Sequence, residues 1–144
     1  MPEWVATVIR KDYADTDIII LTECSSNVPN WDTIKKRIFE DKEYLVFESF
    51  NNQGHQNDVV IAVKKERFSV KDTRSHYSAN PDTADHLEIK CKTKAGTELT
   101  VIGMRIHSYD KVTDANDEKK RIAFQSIIND VKNDNIVVIG GDLN

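Results

Sequence analysis

Three segments of the chain are largely apolar, and each ends in a polar residue of a type that can take part in catalysis or metal binding. They are DIIILTE at residues 17–23, ELTVIGMRIH at 98–107 and NIVVIGGD at 135–142. Continuous apolar runs of this length are typical of β-strands that are covered on both faces, as in the parallel part of a layered α/β protein. The chain is therefore expected to build sheets buried between other layers.

Three other segments repeat apolar residues at helical spacing and are predicted to be amphipathic helices. They cover residues 3–13, 31–41 and 114–133. Their expected buried faces carry, in chain order, Trp4, Val5, Val8, Ile9 and Tyr13; Ile34, Ile38 and Phe39; and Ile122, Phe124, Ile127, Ile128 and Val131. Asn30 or Asp32 is expected to cap the second helix, because either side chain can accept a hydrogen bond from the first turn.

The remaining apolar stretches predict strands at residues 44–50, 58–64, 67–72 and 86–93. The last of these and the strand at 98–107 bracket the short connection KAG, which favours an antiparallel hairpin. Residues 74–85 are polar and are expected to form a surface loop. The order helix, strand, helix, five strands, helix, strand predicts an α/β protein of the α+β type, with mixed β-sheets and helices outside.

Composition agrees with a single globular domain. The 144 residues are 39% hydrophobic and 31% charged, and 24 acidic against 20 basic residues give a net charge of -4. This balance excludes an overall basic field for nucleic acid but leaves a local basic groove open. Cys24 and Cys91 show neither disulfide nor metal-ligand spacing, which indicates reduced thiols in a cytoplasmic protein. No segment has the roughly eighteen apolar residues that a membrane span requires.

Two of the apolar strands end in an acid, at Glu23 and Asp142. If the strands adjoin or face each other, the two carboxylates meet at a sheet edge, where their hard oxygen atoms suit Mg²⁺ or Mn²⁺. The simpler explanation is that acids mark where strands reach water, and Glu23 taken alone fits it better. Asp142 fits it less well, because Gly140 and Gly141 permit a tight bend and Asn144, two positions on, points the same way if the chain stays extended. His107, at the end of the third strand, taken alone fits a surface histidine.

The segments ADTDIIILTE, NDVVIAVKK, AGTELTVIGMRIHS, KKRIAFQSIINDV and NIVVIGGDLN occur in one order along the chain. In that order and spacing they resemble the endonuclease/exonuclease/phosphatase superfamily, which is typified by DNase I and the abasic-site endonucleases. The resemblance covers essentially the whole chain, including Arg121 and Gln125 on the helix before GDLN. It implies a DNase I-like, four-layer α/β sandwich with mixed β-sheets, and a Mg²⁺-dependent phosphodiesterase or nuclease.

The resemblance also implies roles for particular residues. Glu23 matches the glutamate that binds the catalytic metal, Mg²⁺ or Mn²⁺. Asp142 matches the residue that orients the attacking water, and Asn144 the one that holds the scissile phosphate. His107 matches a histidine that contacts the phosphate in the DNase I-like and phosphatase-like branches. The metal would neutralise the phosphoryl oxygens during in-line attack by water, with Asn144 and His107 as fixed donors.

Residues 50–58 stand where this family has a substrate-facing loop. Asn57 is the candidate substrate-binding residue there, together with His55 and Gln56, although a polar hairpin loop explains these residues equally well. Several other residues are expected to have structural and not catalytic roles. Trp4 and Trp31 are expected to pack in the core, and Cys24 to be a small buried residue. Lys35, Lys36 and Arg37 are expected to lie on a solvent-exposed helix face.

Residues 1–144 are expected to form one partial domain. The opening strand of the family, with its Asn, and its closing strands, with an Asp-His pair, have no counterpart here, so weak or no catalysis is expected of this chain alone. A half-domain leaves an apolar sheet face uncovered, which would allow self-association. The rival hypothesis is a non-catalytic binding module, or a half-domain completed by another chain. DNA, RNA, lipid and nucleotide phosphoesters all stay open as substrates.

Overall fold

The structure, a computed structural model, describes residues 3–13, 15–24, 30–49, 59–76, 85–106 and 113–143. Its elements are, in chain order, α1 (Glu3–Asp12), β1 (Ile18–Thr22), α2 (Trp31–Glu43), β2 (Tyr44–Glu48), β3 (Val59–Lys64), β4 (Phe68–His76), β5 (Asp85–Thr93), β6 (Glu98–Arg105), α3 (Asp114–Val131) and β7 (Val137–Asp142). This is the predicted order of helices and strands.

The strands form two sheets. The first has the order β1-β3-β2, and both of its pairings are antiparallel. The second has the order β4-β5-β6-β7, in which only the pairing of β6 with β7 is parallel. The predicted hairpin joins β5 to β6, and Gly96 turns it with a φ of 93°, a left-handed conformation that glycine adopts without steric cost.

Three apolar clusters hold four layers together. Ile9 of α1 and Ile34, Ile38 and Phe39 of α2 pack on one face of the first sheet. The two sheets pack face to face through a central core whose fully buried members are Val59, Ile61, Val63, Leu87, Ile89, Cys91 and Val101. Helix α3 covers the far face of the second sheet with Ala123, Ile127 and Val131. The described residues therefore form the predicted α/β sandwich with mixed sheets.

The first strand was predicted to be covered on both faces, a pattern that is typical of parallel sheets. Strand β1 is covered on both faces as predicted, since Ile19 packs towards the helices and Ile20 towards the second sheet. Its partner β3, however, runs antiparallel to it. Cover on both faces removes the alternation of apolar and polar residues whatever the strand direction, so the apolar run carried no information about direction.

Three local predictions also need correction. Strand β4 continues through His76 instead of ending at residue 72, because it pairs with β5 as far as His86. Ile122 is 53% exposed, and α3 buries Ala123 in its place. Tyr13, at the end of the predicted apolar face of α1, is 55% exposed. For Ile122 and Tyr13, a position at the margin of a helical pattern was assigned to the wrong side.

Helix α2 begins after Asn30, which occupies the N-cap position with a φ of 66° and makes no side-chain cap hydrogen bond. Trp31 is 4% exposed, so its predicted place in the core is confirmed. The side chain of Trp4 lies outside the described residues. Lys35 was expected on a solvated face, but its ammonium group lies 2.8 Å from Oε1 of Glu48. In the described part of the chain, no helix is long and apolar enough to cross a membrane.

Candidate functional site

The two strands that end in an acid belong to different sheets, and the face-to-face packing brings their ends together. The packing is close because Gly140 of β7 lies under β1, where a Cβ atom on Gly140 would stand 3.0 Å from Cδ1 of Ile20. Glycine at this position lets the backbone of β7 approach the facing sheet. The carboxyl ends of β1 and β7 thus lie on the same side of the sandwich.

Glu23 directly follows β1 and has a φ of 57°, which is left-handed. A non-glycine residue in that conformation costs about 1–2 kcal/mol, so the surrounding structure must hold it there. The next residue supplies one anchor, because Cys24 is fully buried and its thiol donates to the carbonyl of Thr22 at 3.5 Å. The predicted burial of Cys24 is confirmed. The Glu23 side chain itself is 65% exposed and open to solvent.

Asp142 is the last residue of β7 and is half-buried. Its carbonyl accepts a hydrogen bond from the N–H of Ile106 at 2.9 Å, which ties the strand end to β6. The preceding Gly141 has a φ of 140°, and a Cβ atom there would lie 1.9 Å from the carbonyl oxygen of Met104. Only glycine fits this position, and it aims the chain into Asp142.

Arg105 connects the two acids. Its Nη2 atom lies 3.5 Å from Oε1 of Glu23, and its side chain is 23% exposed. In the second sheet Arg105 stands opposite Asp142 of β7 on one side and opposite Asp85 of β5 on the other. Asp85 is 1% exposed. Arg105 therefore contacts Glu23 of the first sheet and is the strand neighbour of two acids in its own sheet, all at one end of the sandwich.

Sequence reasoning missed Arg105, although a signal was present. It is the only charged residue between Thr100 and Ile106, and the residues that separate it from Thr100 are apolar or small. A charge inside such a run is unfavourable unless it is paired, because burial removes its hydration. An arginine near the end of a buried strand is thus a sign that acidic partners lie close to it.

Glu23 and Asp142 offer the oxygen donors that Mg²⁺ and Mn²⁺ prefer. Mg²⁺ sites in phosphoryl-transfer proteins use one or two carboxylates, with water and substrate phosphate completing the shell. Two acids at an exposed sheet edge fit this chemistry. A cluster of three or more His, Cys, Asp or Glu side chains suited to a metal is absent from the described residues.

The other predicted site residues lie outside the described residues. His107 and Asn144 stand two positions along the chain from Arg105 and Asp142, the last residues of β6 and β7. Asn57, with His55 and Gln56, also falls outside. Arg121, which belongs to the family resemblance, donates within α3 to Glu118 through Nε at 2.7 Å and Nη2 at 2.5 Å. These contacts raise the pKa of Arg121 and lower that of Glu118.

A cleft of about 600 Å³ lies at the opposite end of the sandwich, where Asp17 precedes β1 and Thr93 ends β5. Arg67 and Lys94 also line it. It is thus separate from Glu23 and Asp142.

No protein-family model matches the sequence, and no curated protein matches it. Solved structures of other proteins do match this chain. A crystal structure of TDP2 from D. rerio, complexed with a single-strand DNA product, has a TM-score of 0.72 at 16% identity and aligns over 98% of this chain and 52% of its own. An endonuclease/exonuclease/phosphatase family protein from Bacteroides thetaiotaomicron has a TM-score of 0.69 at 15% identity, over 99% of this chain and 54% of its own.

This chain has the DNase I-like fold of the endonuclease/exonuclease/phosphatase proteins. The same DNase I-like architecture relates it to the mannosyl-6-phosphatase Bt3783 of Bacteroides thetaiotaomicron, with a TM-score of 0.68 at 15% identity over 99% of this chain and 55% of the phosphatase. The fold implied by the sequence resemblance is confirmed. The chain spans about half the length of these structures.

Proposed function

We propose that this chain is part of a divalent-metal-dependent phosphoester hydrolase of the endonuclease/exonuclease/phosphatase family. The observation that carries the proposal is the convergence of Glu23 and Asp142 around Arg105, from two sheets that no local sequence pattern joins. The fold supports it, because similarly folded proteins include one whose name is mannosyl-6-phosphatase and one complexed with a DNA product.

Glu23 is proposed to hold Mg²⁺ or Mn²⁺. Its 65% exposure lets a hydrated cation reach the carboxylate without rearranging the core. When bound, the metal would supply charge neutralisation at the phosphoryl oxygens of the substrate. The left-handed backbone at Glu23 turns the chain away from β1, so its carboxylate is presented at the end of the sheet. Backbone strain of this kind clusters at functional sites.

Asp142 is proposed to orient the attacking water by accepting a hydrogen bond from it. Its half-buried side chain lies on a strand end pinned by Gly141 and by the Ile106 hydrogen bond, which fixes the direction of approach. Asn144 and His107 are proposed as the donors that hold the phosphate oxygens, since each follows a strand end at this edge. Asn57 is proposed to contact the substrate.

The substrate is proposed to be a phosphoester, with nucleic acid as one class to test. Nonspecific binding of long nucleic acid depends on many phosphate contacts by Lys and Arg, and the net charge of -4 disfavours it. We also propose a cytoplasmic location, since Cys24 and Cys91 are buried and free of disulfide bonds. Self-association through an uncovered sheet face stays a prediction, which the mass in solution would test.

The test is hydrolysis of p-nitrophenyl phosphate and bis-p-nitrophenyl phosphate by the 144-residue chain, with Mg²⁺, with Mn²⁺ and with chelator. We expect slow turnover that needs the cation and disappears in Glu23→Gln and Asp142→Asn. Glu118→Gln, which removes an exposed carboxylate on α3, is the control and keeps the wild-type rate. Hydrolysis that survives in chelator or in both site variants would overturn the proposal. Turnover below detection in the folded wild-type chain would favour the rival hypothesis of a non-catalytic binding module.

A further inference from the structure

The three acidic residues near Arg105 differ in the sheet they come from and in how exposed they are. Asp85 and Asp142 stand directly beside it in the sheet, and they are buried and half-buried. Glu23 comes from the facing sheet and is 65% exposed. The contact of 3.5 Å to Glu23 is longer than the 2.7–2.9 Å of a strong charge-assisted hydrogen bond. The ion pair with Glu23 is therefore long, and its acidic partner is mostly exposed to solvent, so a competing cation can reach that carboxylate.

We propose that Arg105 is the internal counter-ion of Glu23 and that a divalent cation displaces it from Glu23 on binding. This inference rests on the proposed function, because it takes Glu23 as the metal ligand. Arg105 is a positioning residue in this scheme. It holds the Glu23 carboxylate at the sheet edge while no metal is bound, and it stays anchored in the second sheet when Glu23 turns to the cation.

Charge explains why such a counter-ion is needed. Glu23 and Asp142 bring two carboxylates to one end of the sandwich, and like charges there repel one another. A single positive charge offsets only part of this, so the cluster keeps a net negative charge that attracts a cation. Arg105 therefore competes for Glu23 while leaving the site attractive to a divalent ion.

The experiment measures Mn²⁺ affinity by the electron paramagnetic resonance of free Mn²⁺, using the 144-residue chain. Arg105→Gln removes the guanidinium group that competes with the cation for Glu23, and with it one positive charge. We expect the affinity of this variant for Mn²⁺ to be about three- to tenfold higher than that of wild type, the scale of a partly exposed ion pair. Arg74→Gln is the matched control, since Arg74 pairs with Asp72 on the exposed strand β4 at 3.3 Å. We expect no change in affinity for it.

A second measurement uses the wild-type chain and does not depend on how well Arg105→Gln folds. Side-chain Nε–Hε resonances of Arg105 and Arg74 are followed by NMR during a Mg²⁺ titration. We expect the Arg105 resonance to move with saturation and the Arg74 resonance to stay. The variant Glu23→Gln without Mg²⁺ should already place the Arg105 resonance near its metal-bound position, because its partner charge is gone.

The outcomes separate the two proposals. If Glu23→Gln binds Mn²⁺ as tightly as wild type, Glu23 is not the ligand and the proposed function fails. If Glu23→Gln no longer binds Mn²⁺ but the Arg105 resonance of the wild-type chain does not move at Mg²⁺ saturation, Glu23 is a metal ligand and the proposed displacement of Arg105 is wrong. The proposed displacement of Arg105 is also wrong if folded Arg105→Gln binds Mn²⁺ as tightly as wild type or more weakly.

Discussion

Gly103 of the second sheet lies against Val59 of the first so closely that a Cβ atom on Gly103 would stand 2.5 Å from Cγ1 of Val59. The same Cβ would be 3.1 Å from Cγ2 of Ile20. Two packed sheets normally lie about 10 Å apart, with side chains interdigitating between them. Gly103 removes one of those side chains, and the sheets approach where the strands lead towards Glu23 and Asp142.

Gly103→Ala should destabilise the protein by about 1–3 kcal/mol, the usual cost of overpacking a core. Its added methyl group overlaps Val59, which is fully buried and has no room to move. Urea unfolding followed by circular dichroism measures the loss. The double variant Gly103→Ala with Val59→Ala should cost less than the sum of the two single changes, since each relieves the other. Strict additivity would show that the two sites are not in contact.

Gly140 and Gly141 are adjacent but should respond differently to alanine. At Gly141 the new Cβ meets the backbone of Met104 at 1.9 Å, and the φ of 140° is unfavourable for alanine. We expect Gly141→Ala to lose at least about 2 kcal/mol of stability, the scale of severe backbone strain, and to weaken Mn²⁺ binding by moving Asp142. At Gly140 the Cβ meets only the tip of the Ile20 side chain at 3.0 Å. Gly140→Ala should therefore cost less, and equal losses would contradict this account of the strand end.

Glu23 holds a left-handed conformation at the expense of stability. Glu23→Gly relieves the strain, so we expect the free energy of unfolding to rise by about 0.5–1 kcal/mol while metal binding is lost. Glu23→Ala removes the same carboxylate but keeps the Cβ atom, and it should not gain stability. Thermal unfolding of the pair measures the difference. If Glu23→Gly is no more stable than Glu23→Ala, the backbone at residue 23 is not strained.

Burial raises the pKa of the Cys91 thiol from an ordinary 9.0 to about 11. The folded state thus favours the protonated thiol more than the unfolded state does. The stability this contributes is complete below about pH 9 and is lost as the pH rises through about 11. Wild type should lose about 2 kcal/mol over this range through Cys91, and Cys91→Ala should lose correspondingly less. Urea unfolding at pH 8.5 and pH 11 checks the difference, and parallel losses would contradict it.

Much of the fold could be predicted because its signals are local. Apolar runs, helical spacing and the turn at Gly96 each lie within a few residues, and they predicted the order of elements and the β5–β6 hairpin. The direction of β1 and the extension of β4 to His76 depend on a partner strand that is distant in sequence. Such pairings are decided by packing, which a single sequence does not display.

Part of the candidate site could be picked out from the sequence. Glu23 and Asp142 are recognisable as acids that follow buried strands, but the sequence predicts that they meet only if the two strands adjoin or face each other. Arg105 did not stand out, because its importance comes from its register against Asp85 and Asp142 and from the facing sheet. Cross-strand neighbours become visible only once the register is known.

The most direct test of the central claim is the affinity of the chain for Mn²⁺ in wild type, Glu23→Gln, Asp142→Asn and Glu118→Gln. We expect wild type and Glu118→Gln to bind alike, Glu23→Gln to lose at least about tenfold in affinity, the equivalent of 1.4 kcal/mol, and Asp142→Asn also to bind more weakly. Equal affinity in wild type and Glu23→Gln would contradict the claim that the strand ends at Glu23 and Asp142 form a metal site.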